Sequence, residues 1–123
     1  MIRILLVDDY EMVRRGLKWL ISTASDLQLV GIGTNGYEAV QLCEQLAPDV
    51  ALIDSQMPLL DGISATRRIR AKALSTAIII MVGFMEEIST DEILLAGAND
   101  FLFKDGDGQT ILQTIHRVAQ KIS

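Results

Sequence analysis

Asp49-Val50-Ala51-Leu52-Ile53-Asp54-Ser55-Gln56-Met57-Pro58-Leu59-Leu60-Asp61-Gly62 is the stretch whose reading decides the fold. Residues 50–53 are an unbroken apolar run with a β-branched residue at each end. That is the pattern of a strand buried on both faces, and such strands lie in the middle of parallel sheets. Asp54 then stands at the strand's C-terminal end. In open α/β sheets this edge gathers ligands and chemistry, because its loops escape the core and the following helices aim their N-termini at it. Pro58 and Gly62 punctuate an irregular loop before a helical pattern begins at Ile63. Read alone, an aspartate here is equally a residue that caps a turn.

Working outward, residues 2–7 form a second buried strand, interrupted only by Arg3 and ending in Asp8-Asp9. A helix is predicted over 11–24, with Val13, Leu17, Leu20, Ile21 and Ala24 on one face. Residues 27–33 read as a strand and 36–46 as a helix whose inner stripe is Ala39, Val40, Cys43 and Leu46. Beyond the central stretch come a helix over 63–72 with a basic outer face of Arg67, Arg68, Arg70 and Lys72, and a very hydrophobic strand over 77–82. A weaker helix is predicted over 86–95, with Gly97 closing it. The last strand, 99–103, runs into Lys104, and a final helix covers 109–122. Five strands alternating with five helices demand parallel pairing through right-handed crossovers. The expected fold is α/β: a doubly wound (βα)5 parallel sheet with helices on both faces, one domain over 1–123. Periodicity does not give the strand order.

The chain has 123 residues, enough for one core and too few for two. No apolar run approaches the length of a membrane span, and Met1 leads straight into a strand, so neither a signal peptide nor a transmembrane segment is expected and the location expected is cytoplasmic. A single cysteine excludes an internal disulfide and a thiolate metal site, leaving Cys43 a packing role. The net charge of −5 argues against direct nucleic-acid binding, which needs a basic footprint.

Parallel strands bring Asp8-Asp9, Asp54 and Lys104 to the same sheet edge. Converging carboxylates repel one another unless a cation joins them. A hard divalent ion such as Mg2+ suits a few carboxylate oxygens, a carbonyl and water. Lys104, a compact cation on a flexible stem, neutralises what the metal does not. Acids, a metal and a lysine together can hold a phosphoryl group, and Asp54 can act as nucleophile and form an acyl phosphate.

The sequence resembles the receiver domain of two-component response regulators over its whole length. The matching residues are Leu6-Val7-Asp8-Asp9, Asp54 followed by Met57-Pro58 and Asp61-Gly62, Ala96-Gly97-Ala98, and Phe101-Leu102-Phe103-Lys104. The Lys104-Asp105 ending is similar to receivers of regulators with a LuxR-type helix-turn-helix output. The resemblance implies a flavodoxin-like fold and phosphorelay signalling, with Asp54 as phosphoacceptor for a partner histidine kinase. It implies that Asp8 and Asp9, with Asp54 and the backbone carbonyl of Gln56, hold Mg2+ or Mn2+, and that Lys104 pairs with phosphoryl oxygens. Phe101 takes the place of the family's switch aromatic. Such a domain assists its own phosphorylation and dephosphorylation without being an enzyme in the ordinary sense, can pair as a homodimer, and reaches DNA only through an output domain. The final helix ending at Ile122-Ser123 without a tail favours a truncated regulator.

One departure stands out. Val82 occupies the position where the family carries a threonine or serine whose hydroxyl bonds the phosphoryl group. Valine keeps the shape and lacks the donor. Either the switch is weakened, or the chain is a degenerate receiver regulated by partner binding. A rival motif, Gly31-Ile32-Gly33-Thr34-Asn35-Gly36, matches a dinucleotide-binding turn, but a complete βα unit precedes it and it leaves Asp8, Asp9 and Lys104 unexplained; a tight turn with close helix packing is the plainer reading. Asp105-Gly106-Asp107-Gly108 lacks the later residues of a calcium loop, so Asp107 is expected to cap the last helix. His116 is expected to face solvent, the Arg67 to Lys72 cluster to be a solvated face, and Met81, Phe84 and Met85 to be either core or a cover for the site.

Overall fold

The computed structural model describes residues 1–83 and 85–120; Phe84, and the expected end of the last helix at Ile122 and Ser123, lie outside them. The elements follow the order β1 (Ile2–Val7), α1 (Glu11–Ser22), β2 (Leu27–Gly33), α2 (Gly36–Leu46), β3 (Val50–Asp54), α3 (Gly62–Ala71), β4 (Ala77–Val82), α4 (Thr90–Leu95), β5 (Asp100–Phe103) and α5 (Gly108–Gln120). One five-stranded sheet has the order β2-β1-β3-β4-β5, and every pairing is parallel. The chain leaves β1 in one direction to make β2 and returns past it to make β3. The β1–β3 boundary is therefore the switch point, where a crevice opens at the C-terminal edge.

Strand alternation divides the core into two layers. Ile4, Leu6, Val50, Leu52, Ile79, Met81 and Leu102 pack with α1 and α5. Leu5, Val7, Ala51, Ile53, Ile78, Ile80 and Val82 pack with α2, α3 and α4. Cys43 is buried in the second layer, where burial pushes its thiol up to about 11 and away from reactivity. No helix among the described residues is long and apolar enough to cross a membrane.

The helices α1, α3 and α5 shift from expectation by one or two residues at an end, and two further bounds differ for local reasons. The helix expected from residue 86 begins only at Thr90, because the Ser89 side chain takes the Glu92 N–H as an N-cap while Glu86 is engaged elsewhere. The last strand starts at Asp100: the Asn99 N–H donates to the Ile78 carbonyl, but the Ile78 N–H is accepted by the Asn99 side-chain oxygen at 2.8 Å in place of a backbone carbonyl. At the far end of α4, Gly97 closes the helix as expected, at φ 106, with its N–H on Leu94 and that of Ala98 on Ile93. The glycines of the 31–36 turn are explained by packing: a side chain at Gly36 would run into the Leu60 carbonyl, which its own N–H bonds at 2.9 Å. Asp107 accepts the Thr110 N–H and caps α5.

Two expected solvent faces have partners. Arg70 is half-buried and donates to the carbonyls of Gly97 and Leu74 and to the Asn99 side chain, tying α3 to the end of α4. His116 Nε2 lies 2.8 Å from an Asp26 carboxylate oxygen, joining α5 to the turn before β2. Ala47 closes α2 at φ 45, in the left-handed region where a Cβ is strained. Ala47→Gly is expected to raise the unfolding free energy by about 0.5–1 kcal/mol; a urea melt showing no gain would refute that strain.

Candidate functional site

The site follows from strand parity. Asp8, Asp54 and Lys104 each lie two residues beyond a core leucine of the α1/α5 layer: Leu6, Leu52 and Leu102. All three side chains therefore leave their strands on the same side of the sheet. Val7 pairs with Ile53, so Asp8 and Asp54 sit level at the switch point. Lys104 comes from β5 with β4 between, and its N–H bonds the Val82 carbonyl at 2.9 Å. Its long stem spans that extra strand: Nζ is 3.0 Å from Asp54 Oδ2 and 3.1 Å from Asp8 Oδ2. The Tyr10 ring lies beneath the ammonium, 4.9 Å away.

Both partner carboxylates are buried. Burial, with help from the nearby Asp8 charge, pushes the Asp54 carboxyl up to about 7 against the pull of Lys104. For Lys104 burial opposes the charge, but the hydrogen bond to Asp54 and the close Asp8 carboxylate outweigh it and hold its pKa above the ordinary lysine value. Asp8 Oδ1 accepts the Tyr10 N–H at 2.9 Å. Asp8 Oδ2 has its charge contact with Lys104 but no aligned hydrogen bond, and Asp9 Oδ1 is buried with no partner. Carboxylate oxygens of Asp8, Asp9 and Asp54 lie within 4.8 Å of one another. Unsatisfied buried carboxylate oxygens this close fit a hard cation, so these residues can hold a metal ion.

Gln56 stands on the rim, its N–H 3.4 Å from Asp54 Oδ1, and lines the open depression that Asp54 and Lys104 share with Gly83 and Met85. Met85 is exposed there, whereas Met81 is core. The loop after Asp54 is held by α3: Asp61 caps the helix by accepting the Ser64 N–H, and the Gly62 N–H bonds the Ser55 carbonyl. A side chain at Gly62 would strike the Asp54 carbonyl, so the site tolerates only glycine there. Val82 and Phe101 do not join the charges. Val82 is buried in the other layer, and Phe101 packs half-buried against that layer, edge-on to Phe103.

Sequence reasoning missed two residues of this site. Tyr10 could have been found from its place directly after Asp9. Glu86 could not: it accepts a hydrogen bond from the Ser55 hydroxyl and another from the Gly83 N–H, contacts that no local pattern announces.

Without metal, the folded site prefers Asp54 neutral, since its pKa is raised above that of an unfolded aspartate. That contribution to stability is complete below pH ~4 and is lost as pH rises through about 7. In EDTA, wild-type stability should fall across that window, and Asp54→Asn should flatten the fall and gain on the order of 2 kcal/mol at pH 8. Mg2+ should stabilise the wild type increasingly with pH. Denaturation at a series of pH values checks this, and parallel wild-type and Asp54→Asn profiles would refute it.

A family model described as the response regulator receiver domain matches residues 4–116. Over 116 residues the chain is 37% identical to the nitrate/nitrite response regulator protein NarL of Escherichia coli strain K12, covering 94% of this chain and 54% of NarL. It is 37% identical over 121 residues to the transcriptional regulatory protein LiaR of Bacillus subtilis strain 168, covering 98% of this chain and 57% of LiaR. The chain thus spans about half the length of the curated relatives it matches. Among solved structures, the response regulator domain of Thermotoga maritima CheB superimposes with a TM-score of 0.88 at 34% identity, covering 98% of this chain and 97% of that one. A LuxR-family two-component response regulator from Aurantimonas sp. SI85-9A1 does so at 0.88 and 30%, covering 97% and 85%. With the family model spanning most of its length over this sheet and this cluster of acids and lysine, the chain belongs to the response regulator receiver domain family, the signal-receiving module of two-component phosphorelays.

Proposed function

We propose that residues 1–123 form one receiver that accepts a phosphoryl group on Asp54 from the phosphohistidine of a partner sensor kinase. The observation that carries this reading is the meeting at one sheet edge of a buried carboxylate, a lysine that neutralises it, and neighbouring carboxylate oxygens without hydrogen-bond partners. An Asp54 oxygen attacks phosphorus, the P–N bond breaks, the imidazole departs with the bonding pair, and an acyl phosphate remains. Lys104, midway between Asp54 and Asp8, moves its charge onto a phosphoryl oxygen. Asp8, Asp9 and Asp54, with the backbone carbonyl of Gln56, hold Mg2+ or Mn2+, which when bound neutralises charge on the transferred group. Phosphoryl transfer asks little more of a protein than this alignment and charge balance.

The output is a changed surface, so the domain assists its own phosphorylation and hydrolysis without acting as an enzyme on a small-molecule substrate. Leu94, Leu95 and Phe103, exposed around α4 and β5, offer an apolar face for pairing with a second copy. The length of the relatives and the LuxR-family neighbour support control of transcription through a helix-turn-helix output domain, in the cytoplasm, with DNA reached only through that domain. A second reading, a degenerate receiver that answers to partner binding, is favoured by one observation: Val82 offers no hydroxyl and lies in an apolar layer.

After incubation with Mg2+ and acetyl phosphate, intact mass should show one phosphoryl adduct on the wild type and none with EDTA or in Asp54→Asn. An adduct that persists in Asp54→Asn would overturn the assignment. Val82→Thr restores a donor worth about 1 kcal/mol, so it should enlarge the phosphorylation-dependent conformational change about fivefold. If phosphorylation rate, adduct lifetime and conformational response are all unmoved, the missing hydroxyl is not what limits this switch.

A further inference from the structure

The segment between β4 and α4 is fastened to the end of β3 by one side chain. Glu86 is half-buried, with one carboxylate oxygen accepting from the Ser55 hydroxyl and the other accepting from the Gly83 N–H at 3.1 Å. Its own N–H returns to the Gly83 carbonyl at 3.2 Å. Ser55 is buried and directly follows Asp54, its N–H on Met81 and its carbonyl on Gly62. It is a fixed post, so the bond to Glu86 restrains the loop and not the serine. Gly83 and Glu86 share their depression with Asp54 and Lys104. An anionic group of the chain itself thus occupies the Gly83 N–H at the rim of the proposed phosphoacceptor, while Ser55, on the far side of the strand, anchors its other oxygen.

We propose that Glu86 is a latch: its carboxylate holds the β4–α4 loop on Ser55 and Gly83 in the unphosphorylated chain, and a phosphoryl group arriving on Asp54 takes the Gly83 N–H and releases it. This rests on Asp54 being the phosphoacceptor. A phosphoryl group brings more charge and more acceptor oxygens than a carboxylate, so it competes well for the Gly83 N–H, and it repels Glu86 at close range. Release acts on one end of α4 only. The other end stays pinned, because Arg70 donates to the Gly97 carbonyl at 2.8 Å and the Gly97 and Ala98 N–H groups close the helix. The loop and the first turn of α4 move while the last turn stays, and site occupancy reaches the surface without a hydroxyl at Val82.

The test uses the intact chain with Mg2+ and acetyl phosphate, following adduct formation by mass and amide exchange over residues 85–89. Glu86→Gln, which removes the charge, and Ser55→Ala, which removes the anchor, should each form the adduct about fivefold faster than wild type, the gain expected from losing one hydrogen bond of ordinary net strength from the latch. Both should exchange quickly over 85–89 before phosphorylation, whereas the wild type should do so only after it. Glu87→Gln, which removes the same charge from an exposed position on this loop, should change the rate by no more than about twofold. Equal rates in all four proteins, a Glu87→Gln effect matching that of Glu86→Gln, or unchanged wild-type exchange on phosphorylation would overturn the latch and leave Asp54 in place. No adduct on either wild type or Glu86→Gln would overturn both, and an adduct on Glu86→Gln alone would support a latch that fully blocks the site.

Discussion

One ammonium group reconciles what the sheet puts in conflict. Neighbouring parallel strands stand about 4.8 Å apart, and a buried aspartate stands on the same side just past β1 and at the end of β3. Two such carboxylates cannot both stay ionised in an apolar wall without a cation between them. Lys104 supplies it, at nearly equal distance from each. Its reach depends on β4 being a single strand wide, its position on the parity of β5, and its charge on the Tyr10 ring and on the acids it pairs. Asp9 adds a third carboxylate that Lys104 does not satisfy, and the excess negative charge is what lets these residues hold a cation.

Much of this was legible in the residues. Strands buried on both faces read as unbroken apolar runs, so β1, β3 and β4 were plain, and with parallel strands the acids and the lysine had to share an edge. The parity of Leu6, Leu52 and Leu102 with the charges after them also lies in the sequence. Other features depend on partners that no local pattern names. Strand order is set by how crossovers pack, and only that order makes Asp8 and Asp54 neighbours. Glu86 belongs by propensity to a helix and is instead engaged by Ser55, 31 positions away. Arg70 looked like part of a solvated basic face until the end of α4 was laid across it. His116 met Asp26 only because α5 returns beside the start of β2.

The sheet also separates the charged cluster from the two residues expected to switch. The charges emerge from the α1/α5 side, while Val82 and Phe101 belong to the layer under α4. In β4 the adjacent residues Met81 and Val82 face opposite layers, and Met81 pairs directly with Asp54. Whatever happens at Asp54 must therefore pass either through the β4 backbone or over its end along the loop. In this chain the through-sheet route ends in a valine, and the loop route carries a charged tether.

The brevity of α4 has a consequence for how such a chain can change over generations. Six residues are too few to form a helix unaided. This one persists through its cap at Ser89, its glycine terminus and the Arg70 strap. Because few of its side chains reach the core, substitutions along its exposed side cost the domain little folding free energy. Lineages can therefore diversify the α4 surface while the cluster of acids and lysine at the neighbouring sheet edge stays as it is.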